Sequence, residues 1–355
     1  MNRANAPIWF FLLACICNGC QKNQNIGTPQ TSDSTTRASD STSRASDSTW
    51  EWLGKPLGDS LLNTITIDPK DDQTWYVTAA NGIYITRNGG STWTHYLGGN
   101  ALALEIVPGD PSKIFVGADT TIYLSTDRGL TWTLLHNFSN YVVSILVSKI
   151  DKAVYVGVAW EDSPIPNGIY KSNDMGKTWN YYSYGVQARG LIPWDIEEDS
   201  ANNKLYIGTE IYDHPQPYYP PYLRSSDGGI TWQDIRGTIT WHVVSTQVQP
   251  GTNDVYAFTE GAGIFYSHDF GDHWLYMYSP SADGFIIDKN HPERFFSGNP
   301  VYGQFNGGVF EYDGHSYNEI HGMEGKITAS LCLNAKSTYL YVASYNSGLY
   351  RKKLE

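Results

Sequence analysis

The sequence predicts an all-β protein, a single seven-bladed β-propeller of four-stranded antiparallel blades over residues 49–355, with the last blade closed by the N-terminal strand. Three observations predict it. A short motif recurs along the chain, a similar pair of strands recurs with it, and the two ends of the region complement each other. The composition agrees, because 14% of the 355 residues are aromatic and 34 are glycine. Such a chain suits many short strands joined by tight turns.

The recurring motif has the form Ser-x-Asp-x-Gly-x-Thr-Trp. It occurs in full at Ser125–Trp132, Ser172–Trp179 and Ser225–Trp232. With one or two changes it occurs again at Thr86–Trp93 and Ser267–Trp274. Repetition of this kind indicates an array of one supersecondary unit.

Seven units contain the same two strands. The first has an aromatic residue at its centre, and the second begins in most units with Gly, an apolar residue and an aromatic residue. The central aromatic residues of the first strand are Tyr76, Phe115, Tyr155, Tyr206, Tyr256, Phe296 and Tyr341. Their spacing of about 39 to 53 residues, with four strands to a unit, is typical of propeller blades.

The two ends of the region predict how the ring closes. The last unit stops at Gly348-Leu349-Tyr350-Arg351 without a fourth strand. Residues Ser48–Gly54 resemble Ser91–Gly98, which supply the fourth strand of the first unit. The strand that contains Trp50 is therefore expected to pair beside Tyr350 and protect an open sheet edge.

The motif has a physical reason. The carboxylates of Asp127, Asp174, Asp227 and Asp269 can accept backbone N–H bonds inside their turns. The glycine that follows tolerates a positive φ. Asn88 in the first copy keeps an acceptor oxygen but carries no charge.

These turns resemble Asp-boxes, or BNR repeats, of the sialidase-like superfamily. The resemblance covers residues 49–355 and is closest to photosystem II assembly-factor-like, sortilin-like and xyloglucanase-like propellers. The sixth unit departs from the pattern with Tyr312-Asp313-Gly314-His315, and the seventh has no box. The resemblance implies that the boxes are structural and lie away from the ligand face.

The N-terminal segment resembles a bacterial lipoprotein signal. Arg3 precedes a short apolar run in residues 1–20, and Cys20 is the expected lipidation site, with Cys15 as an alternative. Ordinary cleavage without a lipid is the other interpretation. Residues 21–48 are rich in Ser, Thr and Asp, which predicts a disordered tether. Its reach is roughly 30 Å. We therefore expect an exported protein held by a lipid in the cell envelope, at the outer membrane, the cell surface or the periplasm.

Charge, cysteine content and histidine spacing argue against several classes of function. The net charge of -12 argues against a nucleic-acid partner. Cys332 is the one cysteine of the body and is expected to be a buried, inert thiol. His136, His214, His242 and His321 lack the paired spacing of metal ligands. We expect no cofactor, no metal and a monomer.

Long connections between the second and third strands of blades 3 and 4 predict a ligand site. They span residues 158–167 and 209–220 and combine acids with aromatics on proline-rich backbone. The candidate ligand-binding residues in and around them are Trp160, Arg189, Trp194, Tyr212, His214, Tyr218, Tyr219, Trp241, His242, Glu260 and Tyr302. Further neighbours are Gln304, His321, Glu324, Tyr345 and Asn346. Packing within inner strands is the alternative for any single tryptophan or tyrosine among them.

Two functional hypotheses follow. The first is a non-enzymatic binding or scaffold lipoprotein that recognises a glycan or a protein. The alternative is a glycoside hydrolase with two carboxylates from Glu161, Asp162, Glu210 and Asp213, at a separation of roughly 5 to 10 Å. Sialidase chemistry is not expected, because few arginines are available to grip a substrate carboxylate.

Overall fold

The computed structural model describes residues 30–32, 50–54, 61–159, 168–184, 191–211, 220–259, 262–277, 284–298, 307–345 and 347–354. In these ranges the regular secondary structure consists of strands. None of the described residues lies in a helix long and apolar enough to cross a membrane. The strands form seven sheets, which confirms the predicted seven-bladed propeller.

The strands follow one pattern, in which each blade runs from its innermost to its outermost strand. Two N-terminal strands, β1 (Gln30–Ser32) and β2 (Trp50–Gly54), precede the first blade. Blade 1 comprises β3 (Leu62–Asp68), β4 (Asp71–Ala79), β5 (Gly82–Thr86) and β6 (Trp93–Tyr96). Blade 2 comprises β7 (Ala101–Ile106), β8 (Ile114–Ala118), β9 (Thr121–Ser125) and β10 (Thr133–Asn137). Blade 3 comprises β11 (Tyr141–Val147), β12 (Val154–Ala159), β13 (Gly168–Ser172) and β14 (Asn180–Tyr182).

The remaining blades repeat this order. Blade 4 comprises β15 (Leu191–Asp199), β16 (Lys204–Ile211), β17 (Leu223–Ser225) and β18 (Gln233–Asp234). Blade 5 comprises β19 (Val243–Val248), β20 (Val255–Thr259), β21 (Gly263–Ser267) and β22 (Leu275–Met277). Blade 6 comprises β23 (Gly284–Ile287), β24 (Phe295–Gly298), β25 (Gly307–Tyr312) and β26 (Tyr317–Glu324). Blade 7 comprises β27 (Thr328–Leu333), β28 (Tyr339–Ser344), β29 (Gly348–Lys353) and, at its outer edge, β2.

The N-terminal strand closes the ring as predicted. β2 pairs antiparallel with β29, and the register places Trp50 opposite Lys352 and Trp52 opposite Tyr350. Arg351 also forms an ion pair with Glu51 across the two strands, with Nη2 and Oε2 2.7 Å apart. The outer edge of blade 7 is thus covered by the chain's own N-terminal strand.

A second N-terminal segment pairs with the propeller, which the prediction of a disordered tether did not include. β1 runs antiparallel to β6 and forms a fifth strand of the first sheet. Gln30 lies opposite His95 and Ser32 lies opposite Trp93. The outer edge of blade 1 therefore carries backbone hydrogen bonds to a three-residue part of the segment 21–48.

Aromatic side chains form the core between neighbouring blades. The aromatic residue at the centre of the second strand is buried in six blades, and Tyr256 of blade 5 is partly buried. Neighbouring blades also approach closely at their backbones. A methyl group added at Gly208 of blade 4 would lie 2.6 Å from the carbonyl oxygen of Val243 in blade 5. Glycine is required there because only it leaves room for the neighbouring backbone.

The repeated motif forms side-chain-locked turns between third and fourth strands. In blade 4, Ser225 Oγ donates to Asp227 Oδ1 (2.8 Å) and accepts the N–H of Gly229 (2.9 Å). Asp227 in turn accepts the backbone N–H and the hydroxyl of Thr231. Asn88 makes the equivalent bonds in blade 1, where its Oδ1 accepts the N–H of Thr92 (2.9 Å). These contacts confirm that the motif locks a turn.

The topology gives the propeller two distinct ends. The Asp-turn face holds the locked turns and the connections from first to second strands. The loop face, at the opposite end, holds the connections from second to third strands and those that lead into the next blade. Because strands alternate in direction within each blade, every first strand begins at the loop face.

Candidate functional site

A β-bulge occurs at the loop-face end of the first strand in six blades. The register of the first strand with the second skips one residue near its beginning. The skipped residues are Asn63, Leu102, Val143, Trp194, Val244 and Ala329. A bulge re-aims a side chain and often lies beside a functional site. In blade 4 the bulged residue is a tryptophan.

Trp194 belongs to a polar group of three side chains. Its indole Nε1 donates to Glu210 Oε2 at 2.7 Å. The other carboxylate oxygen, Oε1, lies 3.2 Å from Nδ1 of His242. The Glu210 side chain is 6% exposed and the His242 side chain 31% exposed. The structure thus brings three predicted site residues from blades 4 and 5 into one cluster, the Trp194–Glu210–His242 group.

An apolar patch adjoins this group across blades 2 to 4. Its buried members are Val143, Ala159 and Ile192. The partly buried side chains of Leu102, Tyr141 and Trp194 pack against them. All six lie at the loop-face ends of their strands, and we call them the blade 2–4 patch. Trp194 belongs to both the patch and the polar group, so the two surfaces are continuous.

Trp241 extends the aromatic surface beyond His242. It is 49% exposed, in the connection that leads into blade 5. Exposed tryptophan offers a flat apolar ring with one N–H donor, which suits stacking on a sugar ring or a peptide side chain.

Acidic residues on the innermost strands carry raised pKa values. Burial, with a contribution from Glu197, raises the pKa of Glu105 on β7 to about 8. Burial, followed by the charge of Asp195, raises the pKa of Glu197 on β15 to about 7. Asp195 accepts the N–H of Thr246 in blade 5 (2.6 Å), and burial raises its pKa to about 6. The environment of the innermost strands therefore disfavours the ionised form of these three carboxyl groups.

Cys332 is partly buried and packs against the core between blades 7 and 1, whereas the sequence predicted a buried thiol. It lies on β27, and burial raises the pKa of its thiol to about 11. A thiol held in its protonated form is a poor nucleophile, so its environment is that of an inert packing residue.

The remaining predicted site residues fall into two sets. His321, Glu324 and Tyr345 are described but lie in blades 6 and 7, away from the Trp194–Glu210–His242 group along the ring. The others lie outside the described residues: Trp160, Glu161, Asp162, Arg189, Tyr212, Asp213, His214, Tyr218, Tyr219, Glu260, Tyr302, Gln304 and Asn346. The cysteines predicted for lipidation, Cys15 and Cys20, also lie outside them.

Sequence reasoning missed Leu102 and Tyr141. Tyr141 is the first residue of an innermost strand, and the rule that such positions face the ligand could have found it. Leu102 gives no such signal, because its position in the patch follows from the bulge between Ala101 and Ala103.

One group of potential metal ligands occurs in the part of the chain that the structure describes. One donor atom each of Glu319, His321 and Glu324 on β26 lies within 4.8 Å of the others. All three side chains are exposed, and Glu324 accepts the N–H of Gly322 with both carboxylate oxygens. An exposed cluster of this kind is common on protein surfaces, and we assign no metal to it.

Glu210 is the one predicted catalytic acid that lies among the described residues. Glu210 accepts the indole N–H of Trp194 in a nearly solvent-free position, which fixes its orientation, and its other oxygen lies 3.2 Å from Nδ1 of His242. Glycoside cleavage needs a second carboxyl group about 5 to 10 Å away. The candidates for that second group, Glu161, Asp162 and Asp213, lie outside the described residues.

Comparison with known proteins gives the fold alone. No protein-family model matches the chain, and no curated protein matches it. The solved structure of YCF48 bound to D1 peptide is similar, with a TM-score of 0.64 and 13% identity over 86% of this chain and 97% of that one. YCF48 from Cyanidioschyzon merolae has a TM-score of 0.61, at 13% identity over 86% of this chain and 98% of that chain.

Glycoside hydrolase structures are similar to the same degree. The GH74 enzyme of Niastella koreensis has a TM-score of 0.64 and 15% identity over 85% of this chain. The GH74 xyloglucanase of Xanthomonas campestris has a TM-score of 0.65 and 11% identity over 86% of this chain. This chain covers 53% and 54% of those two enzymes, about half of their length.

Proposed function

We propose that this protein is an exported binding lipoprotein that holds a glycan or a protein on the loop face of its propeller. The observation that carries the proposal is the Trp194–Glu210–His242 group, which joins the blade 2–4 patch into one surface with both polar and apolar parts. Binding sites commonly combine apolar lining with a few fixed polar groups. Similar propellers include one solved with a bound peptide and others that are glycoside hydrolases.

Binding is tested with glycan and peptide arrays probed by the exported chain carrying Cys20→Ser. We expect a ligand whose binding is lost with Trp194→Ala and with Trp241→Ala. Trp52→Ala is the matched control, because Trp52 is also an exposed tryptophan but lies on the outer edge of blade 7. Equal losses for Trp52→Ala and Trp241→Ala would contradict a specific site on the loop face.

Lipid attachment has its own test. Metabolic labelling with a fatty acid should mark the wild-type chain and the Cys15→Ser variant but not the Cys20→Ser variant. Label that survives in Cys20→Ser and disappears in Cys15→Ser would move the site to Cys15. Absence of label from all three chains would contradict lipidation.

Glycoside hydrolysis is the second candidate, favoured by the fixed carboxylate of Glu210 on the loop face. A hydrolase would need a partner acid from Glu161, Asp162 or Asp213. Turnover of a glycan that is abolished by Glu210→Gln and by one amide substitution among these three would establish it. Unchanged glycans after long incubation with the wild-type chain would reject it.

A further inference from the structure

Basic residues are scarce on the loop face. In the described ranges, the connections that form this face contain two, Arg236 and Lys326. Each is engaged locally. Arg236 Nε lies 3.2 Å from Asp234 Oδ2, and the Lys326 ammonium lies 5.1 Å from the centre of the Tyr350 ring.

Acidic residues are more numerous on the same face. Asp119, Glu210, Asp234 and Glu324 lie in its described connections or at the strand ends that border them. The sequence of the remaining connections adds six acids and two bases. The acids are Asp59, Glu161, Asp162, Asp213, Glu260 and Asp283, and the bases are Lys55 and Arg189.

The Asp-turn face differs because its charges neutralise each other. Its connections hold eleven acids and ten bases, and four ion pairs on this face are between 2.5 and 2.9 Å long. The pairs are Lys113–Asp110, Arg128–Asp68, Arg224–Asp272 and Arg294–Asp288. The loop face therefore has a larger excess of acids over bases than the Asp-turn face.

Glu210 places part of this charge next to apolar surface. Its side chain is 6% exposed, and Trp194, its hydrogen-bond donor, packs against the blade 2–4 patch. A carboxylate shielded from water acts on a neighbouring charge more strongly than a hydrated one does. A ligand on this patch thus meets apolar side chains and a negative potential together.

We propose that the loop face binds a basic segment of another protein, with an apolar side chain on the blade 2–4 patch and a neighbouring Lys or Arg beside Glu210. This inference rests on the proposed binding function and narrows its ligand from a glycan or a protein to a protein. Opposite charges steer association and set specificity. An uncharged glycan gains nothing from the acid excess of this face.

Three synthetic peptides of equal length test the proposal on the exported chain with Cys20→Ser. They alternate Leu with Lys, Leu with Glu, and Ser with Lys, and their binding is measured by calorimetry. We expect the Leu/Lys peptide to bind at least tenfold more tightly than either of the others. Its affinity should fall several-fold between 50 and 200 mM salt, because salt screens exposed charges.

Variants locate the binding on the propeller. Glu210→Gln and Leu102→Ser should each weaken binding of the Leu/Lys peptide about fivefold or more. Asp313→Asn, which removes a charge from the Asp-turn face, should leave it unchanged. Thermal unfolding of each variant verifies the fold, and Asp119→Asn replaces Glu210→Gln should the latter not fold.

The outcomes separate this inference from the proposed function. The proposal of a basic ligand would be overturned if the Leu/Glu peptide bound as tightly as the Leu/Lys peptide. Equal losses of affinity in Asp313→Asn and Glu210→Gln would also overturn it. A neutral oligosaccharide whose binding needs Trp241 and ignores salt would overturn it as well, while leaving the proposed function intact. Failure of both peptides and oligosaccharides to bind in a Trp241-dependent way would overturn both.

Discussion

The two faces of this propeller are built on different principles. The Asp-turn face repeats one short turn, in which a Ser or Thr hydroxyl and an Asp or Asn side chain satisfy the backbone. The loop face has connections of unequal length, bulged strands and more acidic than basic residues. The comparison indicates that repetition maintains the ring and that departures from repetition create the candidate binding surface.

The Asp-turn face should therefore dominate stability and the loop face should dominate binding. This division would be wrong if a substitution on the Asp-turn face mainly reduced binding, or if one on the loop face mainly reduced stability. The four predictions that follow run from the largest expected change in the free energy of unfolding to the smallest.

Asp288→Ala should have the largest effect. Asp288 is fully buried and accepts bonds from Ser337 Oγ and from Arg294 Nε at 2.9 Å and Nη2 at 2.5 Å. Its loss removes the closest ion pair of a largely buried guanidinium, which then keeps only the longer contact with Glu311 at 3.8 Å, and this costs about 3 kcal/mol. Urea unfolding measures the loss, and ligand binding should persist in the folded variant.

The pH dependence of Asp288 gives a further readout. Burial alone would raise its pKa, but hydrogen bonds from Ser337 and Arg294 outweigh burial and lower it below 3.8. Its contribution to stability is therefore present above that ordinary value and is lost as the pH falls through the lowered one. The control is Asp313→Ala, an exposed turn aspartate of the same blade, and an equal loss there would contradict the prediction.

Ser225→Ala should cost about 2 kcal/mol. The buried hydroxyl bonds Asp227 and the N–H of Gly229, and its removal leaves that N–H without an acceptor. Ser226→Ala is the matched control, because its hydroxyl is exposed and accepts from Lys204 at 3.3 Å. Similar midpoints in urea for both variants would show that the motif does not lock the turn.

Glu105→Gln should stabilise the protein at alkaline pH by about 1 to 2 kcal/mol. Burial raises the pKa of Glu105 from 4.5 to about 8, so the folded protein holds a proton that the unfolded chain releases. Stability therefore falls as the pH rises from about 4.5 to 8, and glutamine removes that dependence. Melting temperatures at pH 5 and pH 8 provide the measurement.

The control for Glu105 is Glu319→Gln, on the exposed outer strand of blade 6. It should leave the difference in melting temperature between pH 5 and pH 8 unchanged. A Glu105→Gln chain that melts at the wild-type temperature at pH 8 would contradict the raised pKa.

Trp241→Ala should have the smallest effect on stability, less than about 0.5 kcal/mol, because the side chain is half exposed. The same change should abolish binding of the ligand found on the arrays. Urea unfolding and calorimetry on one preparation test both statements. A destabilisation of 2 kcal/mol with intact binding would reverse the assignment of the two faces.

The candidate site shows which features could be predicted from the sequence and which could not. Trp194, Glu210 and His242 could each be named from residue type and position, but not as one group. Trp194 reaches Glu210 through a bulge between Pro193 and Asp195, and His242 comes from the next blade. Neither the bulge nor the approach of blades leaves a mark in the local pattern, because both follow from packing across the ring.

The pairing of β1 with blade 1 was beyond prediction for a related reason. Residues 30–32 have the composition of a flexible segment, and their partner is an edge strand more than sixty residues away in the chain. Backbone hydrogen bonds depend on an available edge and hardly on the side chains that pair there.

The sequence by itself determined the number of blades, the locked turns and the closure of the ring by Trp50 beside Tyr350. Local hydrogen bonds and a repeating period specify these features, and five of the seven units carry a copy of the turn motif. Only the tertiary structure decided which side chains meet on the loop face and that acidic residues outnumber basic residues there. Contacts between blades join residues far apart in the chain, and their partners are fixed only when the ring is complete.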